Sequence, residues 1–456
     1  MRTLFDEMRS EQNLFSAWRH VKRSALNSSN NEIKGYAAEF EHQHQRHLHR
    51  IARQLREGRF SFDEVKGVLK DKKKRLAANK DPRPIAVATL KNRVVQRAIL
   101  QVLQPRKARD ERDIDTRYET VEDARLGKIN EVNRSKYGVG GLLYPFGGVR
   151  PAIELIRSAI DDGAGYFFQS DIKAFFTRIP TKGVVDFIRR ETSDNLLSEI
   201  FSEGLDVHLA NPEELLSYAS LFPSGGIGVA QGSSLSAFAG NVLLYDFDHE
   251  LNRMPVTAVR YIDDLMIVAR KEEDLEAAIE LSKSRLADFK FDLYKPVPGS
   301  DKAARGRCVD AITFLGCTIQ PNRCVPSAQS IKNVRNDIRD DLSASKAAIS
   351  EYLNKGKTFD PKRSHSSALQ TAGKRLFGWQ RSFSFCTDGD EFRRLDSDIA
   401  KCVGEYDEII RRKLRGRDPK TMLEVLGVPN TERLFDQDRE AASKRRKPMR
   451  NREATV

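Results

Sequence analysis

The chain has 456 residues, too many for one ordinary hydrophobic core, so two to four packed subdomains are expected. Lys and Arg total 78 against 65 Asp and Glu, a formal net charge of +13, which favours a polyanionic partner and nucleic acid first. Five cysteines, at 308, 317, 324, 386 and 402, form no CxxC pair, against both a disulfide framework and a cysteine-rich zinc module; no window approaches the ~18 apolar residues of a membrane span and the charged start MRTLFDEMRSEQ is no signal peptide, so a cytoplasmic protein without a membrane partner is expected.

In chain order, residues 1–80 read as a helical extension of mixed charge, with Leu14, Phe15 and Trp18 on one face and Ile51 and Leu55 at helical spacing. The basic run Lys70, Lys72, Lys73, Lys74, Arg75 near its end is equally a solvated helix face or a nucleic-acid contact. From 81 to 326, short β-rich runs such as TAVRYI and LMIVA alternate with amphipathic helices, among them 272–290, which predicts an α+β region. Residues 327–438 are helical again, and 439–456 form a basic tail with too little apolar surface to order itself.

The segment RYIDDLMIVAR sets Asp263 and Asp264 side by side in an apolar, β-branched stretch, predicting a hairpin with its turn at Ile262 to Asp264. Adjacent carboxylates repel; a divalent cation lets both stay ionised, and hard oxygen ligands suit Mg²⁺, although a surface Asp-Asp turn needs none. YFFQSDIKAFFTRIP is an apolar strand ending in Asp171, which either joins that pair around two cations roughly 3.5–4 Å apart or caps the following turn. Between them, GIGVAQGSSLS carries Gly228, Gln231, Gly232 and Ser236, whose glycines let the backbone approach a nucleotide. With no Lys-Ser or Lys-Thr at the required spacing it is not a Walker loop.

In the order Asp171, Gln231-Gly232, Tyr261-Ile262-Asp263-Asp264, these segments resemble motifs A, B and C of the reverse-transcriptase palm. DPRPIAVATLKNRVVQRAILQVLQP resembles the fingers segment of group II intron and related prokaryotic reverse transcriptases, and SKYGVGG with VRPAIELI resembles the lead into motif A. FDLYKPVPGSDK is similar to motif D, TFLGCTI to the primer-gripping motif E, and KRLFGWQRSF to a thumb helix of the group II intron enzymes.

The resemblance implies an α+β right-hand polymerase: fingers and palm at 81–326 with an antiparallel palm sheet, and a helical thumb and C-terminal region at 327–438. It implies RNA-directed DNA polymerase activity with two Mg²⁺ ions, Mn²⁺ substituting, held by Asp171, Asp263, Asp264 and the Ile172 carbonyl. Phe176 would exclude a ribose 2′-hydroxyl, making dNTPs the substrates, and Arg83, Gln231 and Gly232 would contact the nucleotide, with Lys91 or Arg93 as further phosphate contacts. Tyr261, Leu315 and Gly316 would contact primer or template, and Lys295, in competition with Lys302, would be the general acid.

The pattern departs from some relatives. No histidine follows His365, so a His-Asn-His endonuclease module has no ligands, and the end after 389 is too short for a ribonuclease H domain. The Asn-Ala-x-x-His and Val-Thr-Gly elements of retron enzymes are absent. What remains resembles the stand-alone bacterial reverse transcriptases of antiviral (antiphage) defence, whose partners are a structured non-coding template RNA, a DNA product or primer, and dNTPs. A group II intron-like maturase that folds RNA, and protein-primed or non-templated DNA synthesis, are the alternatives.

Overall fold

The computed structural model describes residues 2–28, 30–77, 80–111, 116–355, 359–432, 434–436 and 439. The basic tail expected at 439–456 therefore lies, beyond Arg439, outside the described residues. The backbone falls into two compact units, Met1–Ala311 and Ile312–Val456.

The first unit is organised around the helix Leu90–Leu103, which Thr89 caps by accepting the Asn92 amide, and which is buried on every side from Val94 to Leu103. Helices of that kind sit at the centre of a core. Helix Glu11–Leu26, capped by Ser10, turns Leu14, Ala17, Trp18, Val21 and Ala25 inward at helical spacing and packs against it. Polar ties fix the register: Asn13 Nδ2 donates to the Ala98 carbonyl at 3.0 Å, and Gln101 Nε2 donates to Asn13 Oδ1 at 2.6 Å. Leu14 and Trp18 thus share one continuous core with Phe168, Ile172 and Leu265, so the N-terminal helices are part of this unit.

The antiparallel hairpin of β1 (Lys66–Lys70) and β2 (Arg83–Val87) packs through Val65 and Ala86 onto Leu215 and Phe222. A short ladder joins β3 (Arg106–Ala108) to β4 (Tyr118–Thr120). The main sheet contains β5 (Tyr166–Asp171), β6 (Val256–Tyr261), β7 (Asp264–Ala269) and β8 (Ala303–Arg307), antiparallel throughout in the order β6-β7-β5-β8. Every residue of β7 from Leu265 to Ala269 is buried, which accounts for the unbroken apolar run LMIVA: helices Val149–Asp161 and Glu272–Ala287 both pack on it, leaving no solvated face.

The second unit begins with the sheet β9 (Ile312–Phe314), β10 (Cys317–Gln320) and β11 (Arg323–Pro326), in the order β11-β10-β9. Among the described residues the α-helices Ala328–Lys355, His365–Ser382, Asp390–Leu414 and Pro419–Leu426 follow. Val334, Ile338, Leu342 and Ile349 of the first face Leu395, Ile399, Tyr406 and Ile410 of the third. Trp379 packs against this core while its indole N–H reaches Ser330 Oγ at 3.1 Å, the usual compromise for a large ring with one polar edge. The sequence division carried the α+β region to 326, whereas the compact unit ends at Ala311, and β11 is tied to the helical region after it by the Thr387 amide donating to the Cys324 carbonyl at 2.9 Å. Among the described residues no helix is long and apolar enough to cross a membrane. The mixture of helices and antiparallel sheets is the α+β architecture expected from the alternating apolar patterns.

Candidate active site

The two adjacent aspartates lie where β6 meets β7. Tyr261 pairs with Asp264 across the ladder, so the connecting turn is Ile262-Asp263 and Asp264 is already the first residue of β7, one position short of the turn expected from sequence. Ile262 has φ +63°, a conformation that a β-branched side chain adopts only at a cost of about 1–3 kcal/mol.

Arg260 holds this turn. Its guanidinium is fully buried and spends its donors in three directions: Nε to Asp248 Oδ1 at 2.9 Å, Nη2 to Asp248 Oδ2 at 2.6 Å, and Nη1 to the Ile262 carbonyl at 2.9 Å. Burial pushes the Asp248 carboxyl up, and the paired guanidinium opposes that rise. The backbone segment Tyr137–Gly140 closes over the same place, with the Val139 amide donating to the Arg260 carbonyl at 2.9 Å and the Arg260 amide to the Tyr137 carbonyl at 2.7 Å. A Cβ on Gly140 would lie 2.5 Å from the Ile262 nitrogen, so the close approach requires glycine there.

Asp171 closes the cluster from β5. It is the register partner of Asp264, and beyond it the Ile172 amide donates to the Asp263 carbonyl at 2.7 Å. Three carboxylates and the Ile172 backbone are thereby brought to one end of the sheet. Burial, reinforced by the hydrogen bond to Asp171 and by the neighbouring charges, pushes the Asp264 carboxyl up to about 7. Burial and then the Asp171 charge likewise raise Asp263. The Lys302 ammonium binds Asp171 Oδ2; burial alone would lower that lysine, but the Asp171 hydrogen bond and the three carboxylate charges raise it. A half-buried, acid-only donor set whose own charges oppose one another fits hard divalent cations such as Mg²⁺, because a cation removes the repulsion that otherwise drives protonation.

The glycine turn is tied to the residues after Asp171. The Gly228 amide donates to the Ile179 carbonyl at 2.8 Å and the Val229 amide to the Phe176 carbonyl at 2.7 Å. Phe176 is half-buried beside Phe175, ring centroids 5.4 Å apart. Gln231 and Gly232 line a cavity of about 190 Å³ together with Phe62, Ala86, Asn92 and Arg93.

The remaining expectations separate. Arg83, at the start of β2, is exposed and is not among the residues lining that cavity. Lys91 is ion-paired with Asp63, and Arg93 is half-buried and donates to Ser24 Oγ at 2.8 Å. Tyr261 is half-buried opposite Asp264. Lys295 is exposed, whereas Lys302 touches Asp171. Leu315 and Gly316 form the positive-φ turn between β9 and β10 in the second unit, φ +47° and +80°.

Sequence reasoning missed Arg260 and Asp248. The signal available was a charged residue inside the apolar run TAVRYI, because a guanidinium is buried in such a strand only when an acid meets it.

Residues 68–319, just over half of the chain, match the family described as Reverse transcriptase (RNA-dependent DNA polymerase). No curated protein matches the chain. Among solved structures, it is similar to the partial Cas6-RT-Cas1–Cas2 complex at 18% identity and a TM-score of 0.32, covering 62% of this chain and 42% of that one. It is also similar to apo telomerase from Candida Tropicalis at 12% identity and a TM-score of 0.40, covering 86% and 68%. The chain thus spans less than half the length of the first of these structures.

Proposed function

Since the chain belongs to the reverse transcriptases, the RNA-dependent DNA polymerases, we propose that it extends a primer 3′-hydroxyl with dNTPs by two-metal phosphoryl transfer on an RNA template. The observation that carries this is the convergence of Asp171 with Asp263 and Asp264 at one end of the β5–β7 ladder. In this reading Asp171, Asp263, Asp264 and the Ile172 carbonyl hold two Mg²⁺ ions, with Mn²⁺ as a substitute. When bound, the ions make the 3′-hydroxyl a stronger nucleophile and steady the leaving pyrophosphate.

The chain's own groups do the rest. Arg260 and Gly140 keep the Ile262-Asp263 turn in its strained form, so that both carboxylates are aimed before substrate arrives. Lys302 supplies positive charge at Asp171. Phe176 rejects a 2′-hydroxyl by bulk, and Gln231, Gly232 and Arg83 contact the incoming nucleotide. Tyr261 supports the primer end, Leu315 and Gly316 are proposed primer or template contacts of the second unit, and Lys295 or Lys302 donates a proton to pyrophosphate.

For the biological setting, we propose that the template is a dedicated structured non-coding RNA copied in the cytoplasm during antiviral defence. Support comes from the absence of the Asn-Ala-x-x-His and Val-Thr-Gly retron elements from this sequence and from the net charge of +13. The test is to purify the chain from cells, sequence the RNA and DNA that accompany it, and supply that RNA with labelled dNTPs. Templated DNA complementary to a single RNA species is expected. Folded protein that incorporates nothing on any primed RNA removes the polymerase reading, and DNA covalently attached to the chain redirects it to protein priming.

A further inference from the structure

The cysteines at 317, 324 and 386 show no motif spacing, yet the second unit brings their sulfurs within 4.8 Å of one another. Cys317 opens β10 and Cys324 lies on β11. Their register partners are Pro326 and Ile319, so the two are diagonal neighbours on one face of the hairpin. Cys386 comes from the connection between helices His365–Ser382 and Asp390–Leu414.

The third sulfur is delivered by a backbone dock. The Thr387 amide donates to the Cys324 carbonyl at 2.9 Å, and the Cys324 amide donates to Thr387 Oγ1 at 2.8 Å, although the two residues are 63 apart in the chain. Beside it Arg323 Nε donates to Asp388 Oδ2 at 3.1 Å. These contacts flank Cys386 on its C-terminal side, while its own amide donates to the Phe383 carbonyl at 3.0 Å on the other. The side chain is thus held by two anchored neighbours. Cys317 and Cys324 are fully buried and Cys386 is half-exposed, so the cluster is closed on two sides and open to solvent on the third.

We propose that these three cysteines form a zinc site, with Cys317, Cys324 and Cys386 as thiolate ligands and the fourth position taken by a solvent ligand on the side where Cys386 is exposed. Tetrahedral Zn²⁺ with Zn–S near 2.3 Å needs sulfurs about 3.8 Å apart, which a cluster whose sulfurs all lie within 4.8 Å of one another can supply, and soft thiolates select it over the hard ions suited to the carboxylate cluster. Binding exchanges three thiol protons for one ion, the protons going to solvent. Cysteines used only as small apolar fillers would be satisfied by carbon neighbours and have no need to meet sulfur to sulfur. The site would tie the β10–β11 hairpin to the connection after helix His365–Ser382, and Cys317 directly follows the Leu315-Gly316 turn, so a bound ion would restrain the strand that leaves that turn.

The test uses the full chain purified without chelator and analysed for metal, then stripped and reconstituted with Co²⁺. About one zinc per chain is expected, together with an intense near-ultraviolet thiolate-to-cobalt band and the strong visible bands of a tetrahedral site. Cys317→Ser and Cys386→Ser should lose both signals. Cys402→Ser and the Asp263→Ala/Asp264→Ala double variant should keep them, which separates this site from the carboxylate cluster. If the serine variants do not fold, the cobalt spectrum of the unaltered chain still decides. Cobalt bound without a thiolate band, no binding at all, or a disulfide between any two of the three cysteines in the protein as isolated overturns the proposal.

Discussion

Asp171 and Asp264 face one another as register partners on adjacent strands, and burial together with the hydrogen-bonding and charge of Asp171 raises the Asp264 carboxyl to about 7. Two acids so placed are in balance only while a proton, Lys302 or a metal ion offsets their charge. The consequences reach stability, geometry and substrate choice.

Stability should depend on pH through Asp264. Its carboxyl rises from an ordinary 3.8 to about 7, so between those values the folded chain keeps a proton that the unfolded chain has released. The stabilisation from that proton is complete below pH 3.8 and is lost as the pH rises through about 7. In EDTA the thermal midpoint of the wild type should therefore fall across this window relative to that of Asp264→Asn. Mg²⁺ should narrow the gap, because it binds the folded carboxylates alone. Parallel curves with and without the substitution would contradict the assignment.

Arg260→Ala should be among the most damaging single substitutions in the chain. It leaves Asp248 buried without its counter-ion and frees the Ile262 carbonyl, a loss of about 3–5 kcal/mol by the usual behaviour of broken buried pairs. Denaturant unfolding measures it. A loss below about 1 kcal/mol, the range of exposed pairs, would mean the pair does not brace the turn.

Gly140→Ala tests the turn from the other side. The added methyl meets the Ile262 nitrogen and side chain, so the Ile262-Asp263 turn must shift while the rest of the core is untouched. Nucleotide incorporation should drop by roughly 10²-fold, the usual cost of displacing catalytic groups by an ångström, with a much smaller change in melting. Unchanged activity would show that the turn tolerates movement.

Phe176→Ala should weaken sugar discrimination. If the half-buried ring excludes the 2′-hydroxyl, the ratio of dNTP to rNTP incorporation should fall by roughly tenfold or more. An unaltered ratio places the sugar gate at another residue.

Much of this architecture is legible in the sequence because local pattern and tertiary environment agree. The run LMIVA is unbroken because β7 is covered on both faces, and Leu14 with Trp18 recurs at helical spacing because that face meets the central helix. The carboxylate cluster could be anticipated from motif order, not from any single motif. What escaped depends on partners that sequence does not place. Ile262 is a poor residue for positive φ, so nothing local moves the turn off Asp264; Arg260 and the backbone of Gly140 impose it. Arg93 reads as a phosphate contact, but its guanidinium donates to Ser24 of helix Glu11–Leu26, a partner that sequence does not place. The three converging cysteines have no shared spacing because a hairpin and a distant connection supply them.

The most direct test of the central claim is single-turnover incorporation of a labelled dNTP on a primed RNA template, comparing the wild type with the Asp263→Ala/Asp264→Ala double variant at equal RNA occupancy. The account predicts Mg²⁺-dependent extension by the wild type and a loss of at least roughly 10³-fold in the variant, with RNA affinity retained. Extension by the variant at a rate near that of the wild type would contradict it.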